Sequence, residues 1–202
     1  VELAARAEQQ QIDVDDASKK DFAGSAFSAS GAANWEFAPD YKLSLVASHQ
    51  QRLPLAQELY ADGKHFATNS YELGNDQLKK EQSNNVELGF HYDNNRFDYH
   101  IHVYHNWFDD YIYAQTLDRY EDFRLVKYTQ DKARFYGAEA EAAYQISPTY
   151  KIGVFGDYVR GKIDNENAPR VPAGRLGTKV NADFGDGFTG SAEYYHVFNQ
   201  DK

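Results

Sequence analysis

Alternation of apolar and polar residues, held over about ten positions and repeated along the chain, limits most strongly what this sequence can fold into. In the segment 96–108, Phe97, Tyr99, Ile101, Val103 and Trp107 alternate with Asp98, His100, His102, Tyr104 and Asn106. Successive strand residues point to opposite faces, so such a segment is a strand with one apolar and one polar side. In 134–147 the same reading sets Tyr136, Ala138, Ala140, Ala142, Tyr144 and Ile146 against Glu139, Glu141 and Gln145. Further runs lie at 1–12, 25–37, 41–50, 84–92, 150–158, 176–184 and 188–198, with a weaker one at 122–130. That predicts about ten strands, most near the 9–11 residues a tilted transmembrane strand needs. No segment keeps a helical period beyond about two turns.

The connections sharpen the reading. Short turns rich in turn formers stand at 38–40, 93–95, 147–149 and 185–187. Between them come long polar excursions at 13–24, 51–83, 108–121 and 161–171. Short turns on one rim and long loops on the other are the plan of an outer-membrane barrel. Sixteen Tyr, 13 Phe and 2 Trp make the chain 15% aromatic, and many of these flank the short turns: Trp35, Phe37, Tyr41, Phe90, Tyr92, Phe97, Tyr99, Tyr144, Tyr150, Phe184 and Phe188. Amphipathic rings prefer the headgroup level, so an interfacial girdle is expected there. A soluble β-sandwich or ligand-binding barrel is the alternative, since its strands alternate too. Strands this long with one-sided loop lengths favour the membrane barrel.

Composition removes other classes. The net charge of −10 opposes phosphate binding, so nucleic acid is not expected as a partner. Absence of cysteine rules out disulfides, thiol nucleophiles and cysteine metal sites. No run approaches the roughly 18 apolar residues of a spanning helix. Methionine is missing even at position 1, which reads as a mature segment or a fragment.

Residues 46–177 add a family resemblance. The runs Val46-Ala47-Ser48-His49-Gln50-Gln51-Arg52-Leu53-Pro54, Gln57-Glu58-Leu59-Tyr60 and Tyr71-Glu72-Leu73-Gly74-Asn75 resemble TonB-dependent receptors. So do Ser83-Asn84-Asn85-Val86-Glu87-Leu88-Gly89, Tyr136-Gly137-Ala138-Glu139 and Ala168-Pro169-Arg170-Val171-Pro172. Within that family, Ser48-His49-Gln50, Gly63-Lys64-His65, 111–117 and 156–161 are most similar to the zinc-uptake receptors of Gram-negative pathogens. The resemblance implies roughly a 22-stranded barrel filled by an N-terminal plug and energised by the TonB complex. It further implies zinc as transported cargo, residence in the Gram-negative outer membrane among its lipids, and no enzymatic activity. Residues 1–202 then form an antiparallel portion of that barrel, without plug or closing strands. A haem or siderophore receptor of the same family, a ten-stranded outer-membrane protease with Asp and His at its mouth, and a loop-bearing binding module are the other readings.

Zinc without cysteine is held by imidazole nitrogen and carboxylate oxygen. His65 lies in the excursion 51–83, at the position from which the resemblance implies a barrel ligand. His49 sits near the outer end of its strand, with a parity that turns it to lipid. In the cluster 100–105, parity sends His100 and His102 inward and His105 outward. A tight turn at 93–95 would set Glu87 across from His102 and His91 across from Asp98, within reach of a shared ion. Lumen hydrogen bonds are the alternative role for these pairs. The acidic loop residues Asp109, Asp110, Asp118, Glu121 and Asp122, and the inward Glu139 and Glu141, would concentrate cations by their field.

Overall fold

A computed structural model describes residues 1–200. Nine long strands follow one another across a single curved sheet: β1 (Glu2–Ile12), β2 (Phe22–Ala38), β3 (Tyr41–Arg52), β6 (Glu81–Asp93), β7 (Phe97–Tyr120), β8 (Phe123–Gln145), β9 (Tyr150–Ile163), β11 (Arg175–Gly185) and β12 (Phe188–Val197). Each is antiparallel to its neighbours. Three short strands leave this path. Strands β4 (Asp62–His65) and β5 (Ser70–Leu73) form a hairpin whose second strand runs parallel to the outer part of β8, and β10 (Glu166–Asn167) folds back on β9. One short helix, α1 (Ala56–Tyr60), precedes β4.

The two sheet faces differ as the alternation requires. Leu45, Leu88, Val103 and Ala138 are register partners in one row on one face, and Leu45, Leu88 and Val103 are exposed. The adjacent row on the opposite face is Ser44, Gly89, His102, Glu139 and Asp157. Exposing a Leu–Val row to water would be costly, whereas lipid removes the cost. The wall therefore carries almost no core of its own. A buried apolar cluster, Leu59, Leu78 and Ile112, sits at the long-loop rim, where Ile12, Phe22, Tyr60 and Tyr128 pack around it.

Turn chemistry sets the rims. Asp40 and the Gly185-Asp186-Gly187 turn take positive φ, which lets β2–β3 and β11–β12 reverse tightly. Beside the short turns the aromatic residues form a continuous belt. Its ring centroids lie 5.6 Å apart for Trp35–Phe37, 6.1 Å for Phe37–Phe90, 5.8 Å for Phe90–Tyr99 and 6.4 Å for Phe97–Tyr144. Higher on the same face Trp107 stacks on His105 at 4.0 Å.

Three expectations change in detail. The stretch 108–121 is not a loop: β7 continues through it to Tyr120, with irregularities between Phe108 and Tyr111 and between Thr116 and Asp118. Correspondingly, 122–130 and 134–147 are one strand, β8, not two. Above the membrane a strand needs no apolar face, so its acidic composition reads as a loop although its backbone stays paired. The excursion 161–171 likewise begins with a two-residue reversal at Asp164 and Asn165, both at positive φ, before β10. The third change is in the register of β6 against β7, where Asp93 pairs with Asp98.

Candidate metal-handling residues

The excursion between β3 and β6 is a folded cap, tied to the wall by charge. Glu58 accepts two bonds from the Arg52 guanidinium (3.1 and 2.8 Å) and one from the Leu55 amide (2.8 Å), which satisfies the start of α1. Arg52 also reaches Glu81 at 3.3 Å, and Glu81 accepts the Ile112 amide at 2.8 Å. The Gly74 backbone lies so close to α1 that a Cβ there would meet Leu59 O, Tyr60 N and Ala61 N at 2.5–2.6 Å. The amides of Gly74 and Asn75 donate to the Ala61 and Glu58 carbonyls. The motif Tyr71-Glu72-Leu73-Gly74-Asn75 thus encodes a docking of β5 against α1.

Glu72 is the polar centre of this cap. Its carboxylate accepts from Gln57 Nε2 (2.6 Å), Tyr128 OH (3.1 Å) and Ser70 Oγ (3.1 Å), and pairs with His65 Nδ1 at 2.9 Å. Burial pushes the carboxyl up, but bonds from Gln57, His65, Tyr128 and Ser70 outweigh it and hold Glu72 below the ordinary carboxylate range. Tyr128 responds in the opposite sense: burial, then the Glu72 charge and hydrogen bond, push its hydroxyl up to about 12. His65 ends β4 and is half exposed, at 48% for its side chain against 9% for Glu72. With Nδ1 fixed by the carboxylate and by Thr68 Oγ1 (2.9 Å), Nε2 is the imidazole atom left for a ligand. A histidine whose second nitrogen is held by a carboxylate is the usual outer arrangement of metal-binding imidazoles. Glu72 had no place among the sequence candidates; its signal was the Tyr-Glu-Leu-Gly-Asn run read only as a family mark.

On the inward wall the register differs from the expected one. Asp93 pairs with Asp98, so His91 stands opposite His100, and His102 opposite Gly89. Glu87 faces Tyr104, yet it reaches His102 diagonally, Oε1 to Nδ1 at 2.8 Å. The cause is the turn: Asn94 Oδ1 accepts the amides of Arg96 (2.9 Å) and Phe97 (2.8 Å), which draws Asn95 and Arg96 into the loop. Asp98 pairs instead with Lys151 at 2.6 Å. His49 lies in register with Asn84 and bonds it, Nδ1 to Oδ1 at 2.9 Å, on the face opposite Glu87 and His102. His105 is also on that outer face, against Trp107 and Tyr136. The structure therefore joins Glu87 with His102, and sets His49 and His65 apart from them and from each other. Of the acidic residues, Glu121 pairs with Lys64 across the loop tips. Among the described residues, no three His, Asp or Glu side chains close on one ion.

A curved antiparallel wall with a lipid-suited outer face, an aromatic belt beside short turns and a capped polar interior defines a segment of an outer-membrane barrel. The family model "TonB dependent receptor-like, beta-barrel" matches residues 1–201. The chain belongs to that family, and its place is the Gram-negative outer membrane. Similar folds occur in the copper transporter OprC (TM-score 0.71, 20% identity, 82% of this chain and 25% of that one). The siderophore receptor PirA from Pseudomonas aeruginosa gives a TM-score of 0.66 at 16% identity, over 85% of this chain and 34% of that one. The Serratia marcescens hemophore receptor HasR gives 0.64 at 13% identity, over 92% and 37%. The chain thus spans about a quarter to little more than a third of these structures. Membership in a receptor family stands in place of the protease reading.

Proposed function

We propose that this wall belongs to a receptor that captures zinc at the cell surface for import into the periplasm, with His65 as a ligand. The carrying observation is the His65–Glu72 pair: a buried carboxylate fixes Nδ1 at 2.9 Å and leaves Nε2 on a half-exposed ring. Zinc binds imidazole nitrogen at about 2.0–2.1 Å, and an orienting carboxylate strengthens the nitrogen as a donor. The remaining ligands come from parts of the receptor outside this chain, the plug among them, and TonB supplies the energy through that plug. The resemblance of 48–50, 63–65, 111–117 and 156–161 to zinc-uptake receptors supports the cargo. The likeness to a copper transporter speaks for the fold alone.

Anomalous diffraction across the zinc edge, on zinc-soaked crystals of the intact receptor, tests this reading. A peak about 2.0–2.1 Å from His65 Nε2 is the expected result. A peak bound elsewhere keeps zinc and removes His65. No peak in folded receptor passes the cargo to haem or a siderophore.

A further inference from the structure

Three histidines and three glutamates form a band across β6, β7 and β8 on the inward wall, near the short-turn rim. In one row His91, His100 and Glu141 are register partners; in the next, Gly89, His102 and Glu139 are. Glu87 completes the band from β6 through its bond to His102. The His91 ring centroid is 5.1 Å from that of His100 and 4.8 Å from that of His102. His102 and His91 both lean over Gly89: a Cβ there would meet His91 Nε2 and His102 Cε1 at 2.9 Å and would collide with Ser44 Oγ. With His102 Nδ1 turned to Glu87, its Nε2 keeps a free lone pair, and His91 Nε2 has a single partner, Ser44 Oγ at 3.3 Å. The cation Lys42, opposite His91 on β3, is outnumbered by the three carboxylates.

We infer that His91 and His102 form a transit station for the imported divalent ion on the lumen wall, with Glu87 orienting His102 and His100 as the next nitrogen. The inference rests on the zinc reading above. Two imidazoles from one wall leave the ion's other positions to water, and among the described residues no third ligand converges with them. A pathway needs this: binding strong enough to enter and weak enough to leave. Imidazole suits zinc, copper and nickel, so the station follows the cargo chosen at the surface and does not choose it. Gly89 is the space-making residue, because any side chain there would occupy the place between the two rings.

Intact receptor carrying His65→Ala, crystallised with zinc at millimolar concentration, should show an anomalous peak bridging His91 and His102. In cells expressing receptor with native His65, the double variant His91→Asn/His102→Asn should retain surface zinc binding and import zinc at least fivefold more slowly. Glu87→Gln, which keeps the side-chain shape, should weaken the station by roughly tenfold. Gly89→Ala should lower its occupancy with every ligand present, and heat-modified gel mobility reports whether each variant is folded. Normal import by a folded double variant, with no bridging peak in the His65→Ala receptor, overturns the station while His65 capture stands. Wild-type receptor that neither binds nor imports zinc overturns the cargo reading on which the station rests.

Discussion

At the scale of single residues, Glu72 carries more of the cap than any charged group that the sequence made conspicuous. Five side chains, those of Gln57, His65, Thr68, Ser70 and Tyr128, converge on a carboxylate that is 9% exposed, so its removal leaves Gln57, Tyr128 and Ser70 short of their acceptor. Hydrogen bonds to a charged group contribute about 1.5–3 kcal/mol. Glu72→Ala should therefore loosen residues 53–80 by roughly 2–3 kcal/mol, read as faster hydrogen exchange there with the wall unchanged. The same variant should lower zinc affinity about 10–100-fold, since it frees the His65 ring. Titration follows from the two shifts. Glu72 is held below its ordinary value, so its contribution is present above about pH 4.3 and is lost as pH falls through the folded value. Tyr128 is raised to about 12, so its contribution is complete below about pH 10 and is lost as pH climbs towards 12. Tyrosinate absorbance should show this directly: the wild-type minus Tyr128→Phe difference should rise with a midpoint near 12, not near 10.

At the scale of elements, the strands were legible wherever lipid demands an apolar side. Residues 97–107 and 136–146 could be placed on faces from alternation alone, and the turns at Asp40 and 185–187 announced themselves by residue type. Legibility stopped where that demand stops. Beyond Phe108 the strand needs no continuous apolar face, so Asp109, Asp110 and Asp118 resembled a loop although backbone pairing continues to Tyr120. Register was hidden for a different reason: it hangs on one side chain, Asn94, whose bonds to two amides decide that Arg96 belongs to the turn. That slip concealed the meeting of His91 with His100 and His102, whereas inward parity for His100 and His102 was read correctly. The cap was legible only as a motif, because its logic is a contact between distant backbones at Gly74. Gly74→Ala should force β5 off α1, since the obstacles at 2.5–2.6 Å are backbone atoms that cannot swing aside. Limited proteolysis in the excursion 53–80 should accelerate by at least tenfold while the barrel stays intact, as expected for a local loss above about 1.4 kcal/mol.

At the scale of the whole molecule, the division of labour between faces is the organising fact. Strands β1 and β12 each pair on one side within this chain, so the wall is one arc of a larger closed structure, and its stability belongs to the intact receptor. Hydrophobic matching with lipid then takes the role that a buried core has in a water-soluble β-protein, because the large apolar side chains of the wall are outside. Neighbouring rows should consequently respond in opposite ways to the same charge. Val103 lies in the outward row between Leu88 and Ala138, and Glu139 lies in the inward row beside His102. Val103→Arg should cost about 2–4 kcal/mol, because an Arg near the middle of the lipid-facing band has no water to reach. Glu139→Arg, on the wet side and free of an ion pair among the described residues, should change stability by about 0.5 kcal/mol or less. Urea unfolding of the intact receptor in lipid vesicles measures both. Equal costs at the two positions would mean that this sheet does not divide lipid from lumen, and would undo the assignment of faces on which His91, His102 and Glu87 are placed together.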